Sequence, residues 1–377
     1  MEATLPTRVT TSWTIVADVH VGNHPISGGP VVGGINDRCR RIVEVLAAAA
    51  RACAVDPNGM FAIAGDTFER WATHPQIIDA TVEALRPVIE RTVVLVGNHD
   101  MRSADDRDNA VALLSHSGAT VVSKGPKLIR GALFVPFLPE PAEQYLPRVV
   151  DPVLTAGGAP GILVGHFGIS DETTAPFLVG ASDSVRLAWF QSFLRERLIP
   201  SAVVGNWHEG KVWKDAHTRT TIAQCGALVP TGWDNPGFPR YGGVVRVRSD
   251  GSELSRSELP GPRFVSCTRA QVPVLAEVAP AGTQLYLRIA DAAPGELDIV
   301  RAEALAAFDG KAAALVNVEI DPRGAKVGAS QASAHARVVS STQGSVAETL
   351  HAFIAARYPD ADAQELAKLG MTYLEAR

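Results

Sequence analysis

Five short apolar runs that each break off into small and polar residues constrain this chain most. Residues 13–17 run into Asp18, residues 60–64 into Gly65 and Asp66, and residues 92–96 into Gly97 and Asn98. Residues 161–164 run into Gly165 and His166, and residues 202–204 into Gly205 and Asn206. Unbroken apolar runs of this kind fit buried strands, and α/β folds place ligands beyond the carboxyl ends of such strands. Helices are expected between them. Asn36 is placed to cap one that carries Ile42, Val45, Leu46 and Ala49 on one face, and residues 77–89 and 184–198 read as two more. The alternation of strand and helix predicts an α/β core.

The pattern changes after about residue 218. Residues 220–223 and 243–248 read as strands around a Gly/Pro-rich loop, and the run from Leu259 through Pro260 and Gly261 to Pro262 reads as a boundary. Beyond it, residues 284–289 and 313–320 are predicted strands flanking a helix over 296–308. Residues 323–344 read as a linker, followed by short helices over 346–357 and 362–375.

At 377 residues and 46% apolar, the chain can bury one large core plus small modules. A net charge of −5 counts mildly against nucleic acid as a partner, although bound divalent cations would change the local field. The four cysteines are scattered without a C-x-x-C pair, which points away from a zinc ribbon or disulfide framework and toward a reducing cytoplasm. Neither a signal peptide nor a membrane span is read from the sequence, so a soluble cytoplasmic protein without membrane contact is expected.

The polar residues at the strand ends form a set: Asp18 and His20, Asp66, Asn98 with His99 and Asp100, His166, and Asn206 with His208. A lone buried histidine is more often a core residue than a ligand. Five successive strand ends that each offer Asp, Asn or His are a different matter, because these oxygen and imidazole donors suit manganese, iron or zinc.

These motifs resemble the calcineurin-like metallophosphoesterases, whose pattern is D-x-H, G-D, G-N-H-[DE], G-H and G-H-x-H, over roughly residues 12–250. The resemblance implies a metallophosphoesterase β-sandwich flanked by helices, with a small C-terminal α/β capping domain and terminal helices. It implies two divalent metal ions, Mn(II) first, with Mg, Fe or Zn as alternatives. Asp18, His20 and His208 would bind one ion, Asp66 would bridge, and Asn98 and His166 would bind the other. Asn206 stands where the family has a histidine ligand of that second ion, and it retains an amide oxygen for the role. His99 would protonate the leaving group, with Asp100 as a candidate to orient it.

The stretches 18–22, 65–69, 97–100 and 224–235 look like the SbcD family, nuclease subunits of a DNA-repair complex, although some members have His at the position of Glu69. This implies a DNA exo-/endonuclease working with an SbcC-like coiled-coil ATPase, and leaves a homodimer open. The domains expected are 1–258 (nuclease), 259–325 (capping) and 326–377 (linker and helices that dock on the ATPase). Arg102, Arg107, Lys124 and Lys127 are candidate phosphate contacts, and Trp207 and Trp233 candidate groove aromatics, each weighed against an ordinary surface or packing role. Two other functions stay in view: a phosphodiesterase for small substrates such as cyclic nucleotides, and a non-catalytic binding module that kept the fold.

Overall fold

The computed structural model describes residues 10–25, 27–102, 109–171, 183–215, 220–233 and 241–321. The expected linker, the two terminal helices and Arg107 lie outside the described residues.

The apolar runs become the middle strands of two six-stranded sheets. The first sheet contains β1 (Ser12–Val16), β2 (Met60–Ala64), β3 (Thr92–Leu95) and β4 (Thr120–Val122), side by side and parallel. The second is built on β5 (Lys127–Ile129), β6 (Ala132–Val135), β7 (Ile162–His166), β8 (Ser201–Gly205), β9 (Lys211–Lys214) and β10 (Thr221–Gln224), in the order 9-10-8-7-6-5. There β6, β7, β8 and β10 run parallel, while β5 and β9 are antiparallel edges. The chain then returns to the first sheet with β11 (Gly243–Arg248), antiparallel to β1, and β12 (Ser255–Glu258).

Side chains that point inward from both sheets form one shared layer. Trp13, Ile15, Ala62, Val93 and Leu95 meet Phe134, Ile162, Val164, Val203 and Ala223. Burying each of the larger ones contributes roughly 1.5–3 kcal/mol. The outer faces are covered by helices, so strand residues pointing either way are buried and the runs read as unbroken. On the first sheet lie α1 (Asp37–Ala54) and α2 (Pro75–Leu85). Asn36 caps α1 by accepting from Cys39 N at 2.8 Å, and Ile42, Val45, Leu46 and Ala49 are buried, as the periodicity predicts. On the second sheet lie α3 (Ala142–Gly157) and α4 (Leu187–Glu196), with Tyr145, Leu146, Phe190 and Leu194 inward.

A separate parallel sheet follows: β13 (Pro262–Cys267), β14 (Gln284–Ile289) and β15 (Ala314–Ile320), packed on α5 (Val272–Val278) and α6 (Leu297–Phe308) around Leu285, Leu287, Val300 and Phe308. It joins the sandwich through buried Arg38 of α1, whose guanidinium lies 4.7 Å from the Phe264 ring and donates to Pro230 O at 3.1 Å. Trp233 fills the same seam, 5.1 Å from Phe264 and under the Arg288 guanidinium, so it serves packing there. Among the described residues, no helix is long and apolar enough to cross a membrane.

Candidate metal centre

The carboxyl ends of β1, β2 and β3 in one sheet face those of β7 and β8 in the other. Into the crevice between them project Asp18 and His20, Asp66, Asn98 and His99, His166, and Asn206 and His208. Glycines let the two sheets come this close. A Cβ on Gly65 would fall 2.0 Å from His166 Nδ1, and one on Gly205 would fall 2.4 Å from Ala64 O and 2.8 Å from Ala17 Cβ. The backbone is also bent to aim the ligands. Asp18, His20 and Asp66 have φ of 50° and Asn206 has φ of 84°, left-handed values that side chains other than glycine adopt at a cost.

Among the described residues three donor groups share this crevice: Asp18, His20 and His208; Asp18, Asp66 and His166; and, at its mouth, His20, Glu69 and His99, each with ligand atoms within 4.8 Å of one another. His20 Nε2 faces His208 Nε2 at 3.1 Å, and His166 Nε2 faces Asn98 Oδ1 at 2.9 Å and Asp66 Oδ2 at 3.4 Å. His166 Nδ1 donates to Ala64 O at 2.7 Å, which leaves Nε2 as the atom with the lone pair. With Nε2 unprotonated, a lone pair, an amide oxygen and a carboxylate would converge there, an arrangement that a cation would relieve. The donors are oxygen and imidazole throughout, the set that manganese, iron and zinc accept. The residues present fit divalent ions.

Charge within the cluster follows from burial and proximity. Burial pushes Asp18 up to about 6, with His166 pulling against that and Asp66 adding to it. Burial opposes ionisation of Asp66 too, but the charges of His166, His20 and His99 hold its carboxyl well below the usual range. Burial works against a charged His166, yet Asp66 and Asp18 carry it up to about 9, so without a cation the ring takes up a proton. Burial, joined by the charge of His20, pushes His208 down to about 3. The cluster is thus a carboxylate-rich pocket that draws positive charge.

His99 stands at the mouth, exposed, its ring edge-on to His20 at 4.8 Å. Its backbone N–H donates to Asp66 Oδ1 at 2.9 Å, and its Nδ1 lies 3.2 Å from Glu69 O. The expected contact from Asp100 is not made. Asp100 is fully buried and accepts from the N–H groups of Thr67, Phe68 and Gly97 at 3.0–3.3 Å, so its oxygens brace the loops after β2 and β3. Asn206 donates its amide nitrogen to Asp183 O and Oδ2, both at 3.2 Å, which leaves Oδ1 as the atom with which it can ligate. Its main-chain N–H donates to Asp18 at 2.9 Å.

Sequence reasoning missed three neighbours. Glu69 Oε2 lies 3.1 Å from His20 Nδ1, off the ring's N–H axis, and 4.0 Å from His24 Nε2. His24 donates through Nε2 to His20 O at 2.8 Å, and Asp183 holds Asn206. Glu69 follows Gly65 and Asp66 within one motif, and that spacing was the available signal. Of the other candidates, Trp207 packs against Gly168, where a Cβ would fall 2.3 Å from its ring. Arg102 lies 5.3 Å from the Trp71 ring, and Lys124 and Lys127 are exposed.

No family model and no curated protein matches the chain. Solved structures do. TT1561 of Thermus thermophilus aligns at 11% identity over 66% of this chain and 99% of its own, with a TM-score of 0.41. A dimetal phosphatase from Danio rerio aligns at 14% identity over 65% of this chain and 98% of its own, with a TM-score of 0.37. An archaeal phosphodiesterase aligns at 9% identity over 66% of this chain and 100% of its own, with a TM-score of 0.34. Likeness at this level assigns no chemistry.

Proposed function

We propose that this chain is a metal-dependent phosphodiesterase of the calcineurin-like kind, with DNA as its substrate and an SbcC-like coiled-coil ATPase as its partner. One observation carries the phosphoesterase part: Asp18, His20, Asp66, Asn98, His166 and His208 converge from five strand ends on one crevice. The DNA part is supported by the motif resemblance to SbcD over residues 65–69 and 97–100.

On this reading Asp18, His20 and His208 would hold one ion, Asn98, His166 and Asn206 Oδ1 a second, and Asp66 would serve both. Divalent ions, when bound, supply Lewis-acid charge at phosphoryl oxygens and acidify a water. The remaining work falls to the chain. His99, protonated, keeps its Nδ1–H on Glu69 O and passes the Nε2 proton to the leaving oxygen as the P–O bond breaks. Its exposure at the mouth leaves it within reach of a substrate arriving from solvent.

Labelled linear DNA incubated with millimolar manganese tests this. The wild type should degrade it, and His99→Ala should slow degradation by about 10²–10⁴-fold while metal binding is unchanged. Untouched DNA together with hydrolysis of bis-p-nitrophenyl phosphate would replace DNA with a small substrate. A chain that binds no metal would sink the phosphoesterase reading itself.

A further inference from the structure

Glu69 touches both histidines at the front of the crevice. Its Oε2 lies 3.1 Å from His20 Nδ1, and its main-chain oxygen lies 3.2 Å from His99 Nδ1. Both Oε2 and His20 Nδ1 are buried and neither makes a hydrogen bond among the described residues, their 3.1 Å approach lying off the ring's N–H axis. On the far edge of the same ring, His20 Nε2 faces His208 Nε2 at 3.1 Å. Gly22 leaves room for the Glu69 side chain in this position, since a Cβ there would fall 2.7 Å from Glu69 Cβ. The main chain is fixed too, because Glu69 N donates to Val21 O at 3.2 Å.

We infer that Glu69 is a positioning residue that keeps His20 available as a ligand, an inference that rests on the metal-binding reading above. A neutral imidazole offers one lone pair, and the partner of its other nitrogen decides which nitrogen offers it. A carboxylate beside Nδ1 draws the N–H to that edge and turns the Nε2 lone pair toward Asp18 and His208. Without the carboxylate the opposite tautomer gains a use. An Nε2–H would donate to His208 Nε2 across the 3.1 Å gap, and that single bond would remove both rings from the donor set. Glu69 therefore holds His20 and His208 apart as two acceptors. Its main-chain carbonyl imposes the same tautomer on His99, so one residue orients a ligand and the proposed proton donor together.

Calorimetric titration of the full chain with Mn(II) tests the inference. Glu69→Ala should weaken one of two binding events by about 10–100-fold, the range typical for lost outer partners of a ligating histidine. Glu69→Gln should recover most of that affinity, because its amide oxygen still accepts from Nδ1–H. Gly22→Ala, which pushes an intact carboxylate off His20, should reproduce the loss, and with Glu69→Gln it decides the matter if Glu69→Ala does not fold. Co(II) absorption should change in Glu69→Ala and Gly22→Ala and hold in Glu69→Gln. Wild-type affinity in Glu69→Ala, or a Glu69→Gln loss as deep as the alanine loss, would overturn the positioning role, the second by reducing it to charge. A wild type that takes up no Mn(II) or Co(II) would fail at the earlier step, the metal-binding reading, and the inference would fall with it.

Discussion

The two oxygens of Asp100 accept from three main-chain N–H groups, and burial holds its pKa up at about 7 with the charge of Asp66 adding to the rise. Asp100→Ala would strand those three donors out of water. A loss of about 3–5 kcal/mol in urea unfolding of the metal-free chain is expected. His24 gives a prediction in pH. Burial, together with the charge of Arg38, pushes it down to about 4 from the ordinary 6.5. Between those values the unfolded chain holds the extra proton, so stability present above pH 6.5 is lost as pH falls toward 4. His24→Gln should remove that part of the slope, on the order of 2–3 kcal/mol, in unfolding curves of the metal-free chain taken across the window. At this scale the candidate ligands were legible in the sequence, because each stands shortly after an apolar run. Glu69 and His24 were marked only by their places near Asp66 and His20. Asp183 was not marked at all, because its role arises when a loop away from Asn206 in sequence folds against it, and no spacing encodes that contact.

Glycines at the ends of β2 and β8 set how closely two sheets approach at one corner of the sandwich. Gly205→Ala would push a methyl into Ala64 O and Ala17 Cβ, across the line where the sheets meet. It should cost about 1–3 kcal/mol in urea unfolding and weaken Mn(II) binding in calorimetry, because the strand ends that carry Asp18 and Asn206 are forced apart. The central strands and α1 follow from apolar periodicity and the Asn36 cap. The α3 helix does not, since Pro147 and Pro152 sit inside it and read locally as breaks. Burial of Tyr145, Leu146 and Val150 against the second sheet outweighs that local preference. The edge strands β5, β9 and β12 were equally opaque. Each is short and partly exposed, so no unbroken apolar run marks it.

Across the whole molecule, the donor set is divided between the two sheets: Asp18, His20, Asp66 and Asn98 on the first, His166, Asn206 and His208 on the second. The crevice is thus a joint between the sheets, and on the proposed reading ions would bind only the chain whose sheets are aligned. Such binding adds about 2.7 kcal/mol to stability at a free concentration a hundred times the dissociation constant. Chelation should therefore lower the thermal midpoint, and His208→Ala should shrink the rise that Mn(II) restores, both read by calorimetric melting. On the proposed reading, the proteolytic lifetime of the chain would follow the metal supply, so that a shortage of the ion would thin out the protein itself.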